Sequence, residues 1–155
     1  MEELAIARAV HVAAVVLWIG GVGFVTTALL PGLKSLPPGE RAGMFQRFRR
    51  RFAWQARITT LLAGASGFYL AWGMDAWSRF ESLQFWWMHA MVCLWAVFTV
   101  MLFIAAPLAA RRRKSELPVG DAERAFARTQ AMHALLLALS LLTILGAVAG
   151  SHGLI

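Results

Sequence analysis

The segment that decides the fold is residues 4–30, which read LAIARAVHVAAVVLWIGGVGFVTTALL. It is apolar apart from Arg8, His11 and two threonines, and it stops at Pro31 and Gly32, which are typical of helix ends. A helix needs roughly 20 apolar residues to cross the hydrocarbon core of a bilayer, and this segment exceeds that length. The sequence therefore predicts a membrane-spanning helix at the start of the chain.

Three more apolar segments follow, each bounded by turn-forming or charged residues. None of them has the alternating pattern of a strand, and an open strand could not satisfy its backbone hydrogen bonds in lipid. We therefore predict an all-α fold, an integral membrane four-helix bundle that forms one domain over residues 1–155. The predicted spans are residues 4–30, 56–72, 85–106 and 131–150.

The composition supports a membrane protein and argues against a nucleic-acid partner. Hydrophobic residues make up 59% of the chain and charged residues only 15%, against about 25% charged in a typical soluble domain. The net charge of +7 could indicate nucleic-acid binding. However, thirteen of the fifteen Lys and Arg residues lie within residues 34–57 and 111–128, beside the apolar segments. This placement indicates membrane orientation instead.

The charge distribution predicts which side each end of the chain faces. The positive-inside rule puts the two basic segments, taken as cytoplasmic loops 31–55 and 107–130, in the cytoplasm. The opposite side carries only Arg8 and Arg79 as basic residues. It also carries tryptophans of the kind that form an interfacial belt, namely Trp72, Trp77, Trp86 and Trp87. Both termini are then on the outer, periplasmic side, and we expect a multi-pass protein of the bacterial inner membrane.

Two patterns leave alternatives open. Apolar residues recur at helical spacing from Met44 to Phe52 among arginines, which fits either a surface helix on anionic lipid or an extension of the second span. We favour the extension. Gly146 and Gly150 form a GxxxG pair that allows close helix contact. It can serve packing within the bundle or a homodimer.

Histidines are the main candidates for chemistry because no Asp or Glu lies within a predicted span. At 1.5 Å per residue, His11 lies roughly 10 Å and His89 roughly 6 Å from the outer ends of their helices. These depths agree within the error of helix boundaries. His152 lies at the outer end of the last span, whereas His133 lies at its inner end.

Two imidazoles at one depth on different helices can be the axial ligands of a haem held in a helix bundle. We predict that His11 and His89 bind the iron of one haem b near the outer face, with His152 as an alternative ligand. Trp18 and Gly21 lie on roughly the same helical face as His11. The small residue leaves room for a flat macrocycle.

Arg8 lies one turn outward of His11, where its guanidinium can pair with a haem propionate. A structural role competes with each of these assignments. A membrane histidine can simply hydrogen-bond a neighbouring helix, and an arginine near a helix end can extend to the interface. A cofactor-free structural subunit therefore remains an alternative.

Copper is the competing metal. Met88, His89 and Met91 cluster at the start of the third span, and thioether ligands suit Cu(I). Met88 and Met91 share a helical face, whereas His89 is displaced from it by about 100°. A copper site would use these residues together with His11.

The motif His-x6-Trp-x-Gly-Gly in residues 11–21, HVAAVVLWIGG, resembles the first helix of two related families. These are the CopD-type copper-resistance membrane domain and the HemJ-type protoporphyrinogen oxidase. Residues 63–72, AGASGFYLAW, look like the second helix of both families. Residues 87–89, WMH, with the arginines at 111–113, look like the third, so that the resemblance covers most of the chain.

The HemJ resemblance implies haem b with His11 as a ligand, and the CopD resemblance implies copper handling. HemJ-like proteins tend to carry a lysine two residues after the third-helix histidine, where this chain has Met91. That departure argues against protoporphyrinogen oxidase activity and leaves haem binding open. We expect a b-type haem protein that exchanges electrons with a membrane quinone or a haem-pathway partner. Whether it is a haem-dependent oxidoreductase or a carrier stays open.

Overall fold

In a computed structural model, which describes residues 1–112 and 119–154, all regular structure is helical. Two of the four long helices contain a π-helical turn, and two short 3-10 turns connect the second helix to the third. Helix α1 comprises Glu2–Phe24, the π turn Val25–Leu29 and Leu30–Lys34, and helix α2 is Pro38–Gly73. The 3-10 turns are Ala76–Glu81 and Leu83–Phe85. Helix α3 comprises Trp86–Val100, the π turn Met101–Ala105 and Ala106–Arg112, and helix α4 is Val119–Ser151.

Within the described ranges, three helical segments are long and apolar enough to cross a membrane. They are Glu2–Lys34, Leu83–Ala109 and Glu123–Ser151. The prediction of an all-α membrane protein is confirmed at this level. Helix α2 does not belong to this group, because its C-terminal half is less apolar and contains several glycine, serine and threonine residues. The second predicted span, residues 56–72, and the orientation of the termini stay predictions.

The predicted spans lie within longer helices. Helix α2 begins at Pro38, which suits the first turn of a helix because its missing N–H would have no partner there. The extension of the second span towards the N-terminus is therefore confirmed as one continuous helix. Much of the predicted loops 31–55 and 107–130 is likewise helical, while residues 113–118 of the second loop lie outside the described residues.

Glycines let α1 and α2 pack closely as an antiparallel pair. Three contacts progress along α1 in one direction and along α2 in the other: Leu4 with Gly73, His11 with Gly67, and Gly21 with Phe52. A β-carbon on Gly21 would lie 2.5 Å from Phe52 Cε2. The Phe52 ring therefore fixes the N-terminal half of α2 against α1.

Helices α3 and α4 pack through aromatic rings on glycines. A β-carbon on Gly146 would lie 2.5 Å from Trp86 Cη2, and one on Gly150 would lie 2.2 Å from Trp87 Cζ2. The GxxxG pair is thus used for packing inside the chain. This contact holds the N-terminal end of α3 against the C-terminal end of α4.

A buried apolar cluster lies between the helices and contains residues from all four. Trp18 is central to it and meets the Phe98 ring edge-on, with the ring centroids 4.9 Å apart. The other buried members are Ala14, Ile19, Val22, Ala63 and Leu136. The cluster borders one side of the cavity described next, because Trp18, Ile19 and Ala63 belong to both.

Candidate functional site

A cavity of about 710 Å³ lies among the four helices, beside the first 3-10 turn. Its wall is mainly apolar, with three hydroxyl side chains from α4. Each hydroxyl donates a hydrogen bond to a carbonyl of its own helix: Ser140 to Leu136, Thr143 to Leu139 and Ser151 to Val148. The remaining strongly polar groups of the wall are His11 and Arg79.

His11 is held in one orientation by α2. Its Nδ1 lies 2.9 Å from the Ala63 carbonyl oxygen and 3.2 Å from Ser66 Oγ. A carbonyl can only accept, so Nδ1 carries the hydrogen and donates it. In the neutral ring, Nε2 then carries the lone pair, and it has no hydrogen-bond partner among the described residues. A metal-binding histidine has this arrangement, in which the second nitrogen fixes the tautomer and the ring direction.

Gly67 makes room for the His11 ring. A β-carbon at this position would lie 3.0 Å from His11 Cε1 and 3.3 Å from Nδ1, closer than ordinary van der Waals contact. Neither Gly67 nor the Ala63 carbonyl was expected at His11 from the sequence. The one signal in the sequence is the run of small residues from Ala63 to Gly67.

The second predicted ligand, His89, is not on the cavity wall. Its Nε2 lies 3.0 Å from the Phe80 carbonyl oxygen and its Nδ1 lies 3.3 Å from that of Phe85. The ring also meets the Phe80 ring edge-on at 5.4 Å. The structure therefore does not bring His89 and His11 to one cavity, and His89 would have to rotate to reach it.

The other two histidines also lie off the wall. His152 is exposed, and its Nδ1 lies 2.8 Å from the Val148 carbonyl oxygen. His133 Nδ1 lies 2.8 Å from the Thr129 carbonyl oxygen, near the other end of α4. His11 is thus the histidine that the structure places on the cavity.

Some of the remaining predicted site residues line the cavity, and others lie beside it. Trp18, Met88 and Met91 line the cavity. Gly21 lies under Phe52 instead, and its neighbour Gly20 is on the wall. Arg8 lies beside the cavity, with its Nη2 3.7 Å from Met74 Sδ.

Donor chemistry limits what this cavity can hold. Residues 1–112 and 119–154 contain no group of three or more His, Cys, Asp and Glu side chains that could hold a metal ion. A haem iron needs only axial donors from the protein, because the porphyrin supplies the other four ligands. The imidazole of His11 and the thioethers of Met88 and Met91 are donors of the kind that bind a haem iron.

Comparisons of the chain with protein-family models, with curated proteins and with solved structures give no match.

Proposed function

We propose that this chain is a four-span membrane protein that binds one haem b in the cavity beside His11. The observation that carries the proposal is the hydrogen bonding of the His11 imidazole. Its Nδ1 is fixed by the Ala63 carbonyl, and its Nε2 is left without a partner on the wall of an apolar cavity. This second nitrogen is therefore available as a ligand to a group that enters the cavity.

The cavity volume supports an organic cofactor. About 710 Å³ lies within the range of roughly 300–1,000 Å³ that is typical of pockets for small molecules. Haem would supply one-electron redox chemistry when bound. The chain would supply the axial imidazole, the Ala63 carbonyl that orients it, and apolar walls that exclude water.

The second axial ligand is proposed from the same wall. Met88 and Met91 present thioethers there, whereas His89 directs both ring nitrogens at backbone carbonyls. A His–Met pair would raise the reduction potential relative to a pair of histidines. Ligation by His89, the choice favoured by depth alone, requires the ring to leave the Phe80 carbonyl.

The proposed topology places this haem near the outer face. The supporting observation is the segregation of basic residues into the two segments on the opposite side. Helix α2 is proposed as the fourth span through its C-terminal half, which packs along α1 and contributes Ala63 and Gly67 to the site. A haem at this depth can exchange electrons with a quinone in the bilayer, and we propose a quinone or a haem-pathway protein as the partner.

Copper handling is the second candidate, because His11, Met88 and Met91 line one cavity. Nitrogen and thioether donors suit Cu(I). The cavity volume argues for haem, since a bare ion coordinated by three side chains leaves most of that space without a role.

The absorption spectrum and metal content of the purified protein test the proposal. We expect a Soret band, a sharp α-band on reduction, and one iron atom per chain. Copper without these bands would favour the second candidate. If the protein contains neither iron nor copper after expression with haem and copper supplied, both candidate functions are overturned and a cofactor-free subunit is favoured.

A further inference from the structure

We propose that Arg79 binds a haem propionate and so sets the orientation of the haem in the cavity. This inference rests on the proposed haem function. It goes further by assigning the anionic end of the ligand to a residue in the connection between α2 and α3, where the sequence had favoured Arg8.

Arg79 is the strongly basic residue of the cavity wall. It lies in the 3-10 turn Ala76–Glu81, which connects α2 to α3, and its side chain is exposed. Its guanidinium lies 5.5 Å from the centroid of the Phe85 ring, which supports one face of the group and leaves its N–H donors available. No ion pair between Arg79 and a carboxylate is found within the described ranges.

The position of Arg79 matches the polarity of a haem. His11 faces Gly67, and α2 ends at Gly73, which is about 9 Å further along the helix at 1.5 Å per residue. Arg79 follows beyond that end. The cavity therefore has its imidazole among apolar residues and its cation at the end of the helices. A porphyrin has the same polarity, with the iron in an apolar ring and the carboxylates on one edge.

Arg8 is less well placed for this role. Its guanidinium contacts Met74 Sδ at 3.7 Å, and it is not part of the cavity wall. Ser151, another polar residue of the wall, already donates its hydroxyl to the Val148 carbonyl. Arg79 is therefore the group of the wall best able to form charge-assisted hydrogen bonds with a carboxylate.

A comparison of haem with its dimethyl ester distinguishes propionate binding by Arg79 from a role of Arg79 in shaping the cavity. The ester keeps the iron and the porphyrin ring but has no carboxylate charge. Both are titrated into the full-length apo-protein in detergent micelles, with the Soret change as the readout. Arg79→Gln should weaken haem binding by about three- to tenfold, which is the scale of a partly exposed charge-assisted hydrogen bond. Its affinity for the ester should equal that of the wild type, and this also shows that the variant is folded.

Two further variants sharpen the test. Arg79→Lys should recover part of the haem affinity, because it keeps the charge but loses the bidentate geometry. Arg111→Gln removes an exposed charge from the proposed opposite side of the membrane and should leave both affinities unchanged.

The contradicting outcomes are distinct. Equal weakening of haem and ester in Arg79→Gln would mean that Arg79 shapes the cavity and does not bind a propionate. Unchanged haem affinity would also overturn the inference, and a loss in Arg8→Gln would then assign the carboxylate to Arg8. Failure of the wild type to bind haem or its ester would overturn the proposed function itself.

Discussion

The Gly67→Ala variant tests whether α2 positions His11 for ligation. The added β-carbon would lie 3.0 Å from His11 Cε1, whereas carbon atoms pack best at about 3.5–4.0 Å. The imidazole therefore has to move by about half an ångström. A shift away from α2 lengthens the 2.9 Å contact between Nδ1 and the Ala63 carbonyl, which orients the ring.

The expected effect is on haem affinity more than on stability. Overpacking costs roughly 1–3 kcal/mol, and alanine recovers about 1 kcal/mol over glycine within a helix. The net loss of stability should therefore be small. Loss of a partner that orients a metal ligand typically costs about 10- to 100-fold in affinity. Because this contact is lengthened and not removed, we expect the haem Kd to rise by a factor at the lower end of that range.

Titration of apo-protein with haem in micelles measures this change, and Gly23→Ala is the matched control. Gly23 also lies within a helix, but it is not part of the cavity wall, and a β-carbon there would make only an ordinary contact with Leu137 Cδ1 at 3.8 Å. Equal Kd values for the two variants would refute the view that the contact between Gly67 and His11 prepares the ligand.

Three further predictions concern topology, the second ligand and the inner half of the fold. In a Cys93→Ser background, a cysteine at Ser35 should react with an impermeant thiol reagent only after the membrane is opened, and one at Ser78 should react in intact cells. Met91→Leu should shift the Soret and α-bands of the bound haem, while His89→Ala should leave both bands in place; the reverse pattern would make His89 the ligand. Arg57→Leu should lower the free energy of unfolding in mixed micelles by about 1–3 kcal/mol, because it deprives a π-turn carbonyl of its donor.

The structural basis of the last prediction is the π turn of α3. Arg57 donates from Nε and Nη2 to the Leu102 carbonyl oxygen, at 3.2 and 3.1 Å. The guanidinium also lies 5.7 Å from the centroid of the Phe103 ring. Arg51→Leu is a suitable control, because it removes an exposed arginine of the same helix. Equal stability of the two variants would show that the Leu102 contact contributes nothing measurable.

The helices were largely predictable from the sequence. Long apolar segments that end at prolines, glycines and charges are a strong signal, and helical spacing from Met44 to Phe52 correctly favoured an extension of the second span. The π turns were not predicted, although each ends two residues before a proline, Pro31 or Pro107, which lacks the N–H that a regular α-helix uses and crowds the preceding turn.

The direction in which each candidate side chain faces was not predictable from the sequence. Counting residues gives only an expected depth, and each step along a helix turns a side chain by about 100°. His89, which this count placed at the level of His11, lies off the cavity wall. The same one-residue rotation puts Gly20 on the wall and Gly21 under Phe52. Arg79 was not expected on the cavity wall, because a short connecting turn has no periodicity from which a direction could be read.

The most direct test of the central claim is the ratio of haem to protein in His11→Ala and His133→Ala. Both histidines direct Nδ1 at a carbonyl, at 2.9 Å from Ala63 and 2.8 Å from Thr129, but only His11 lines the cavity. The account predicts one haem per chain in the wild type and in His133→Ala, and loss of haem in His11→Ala. Full haem content in His11→Ala, or loss confined to His133→Ala, would contradict it.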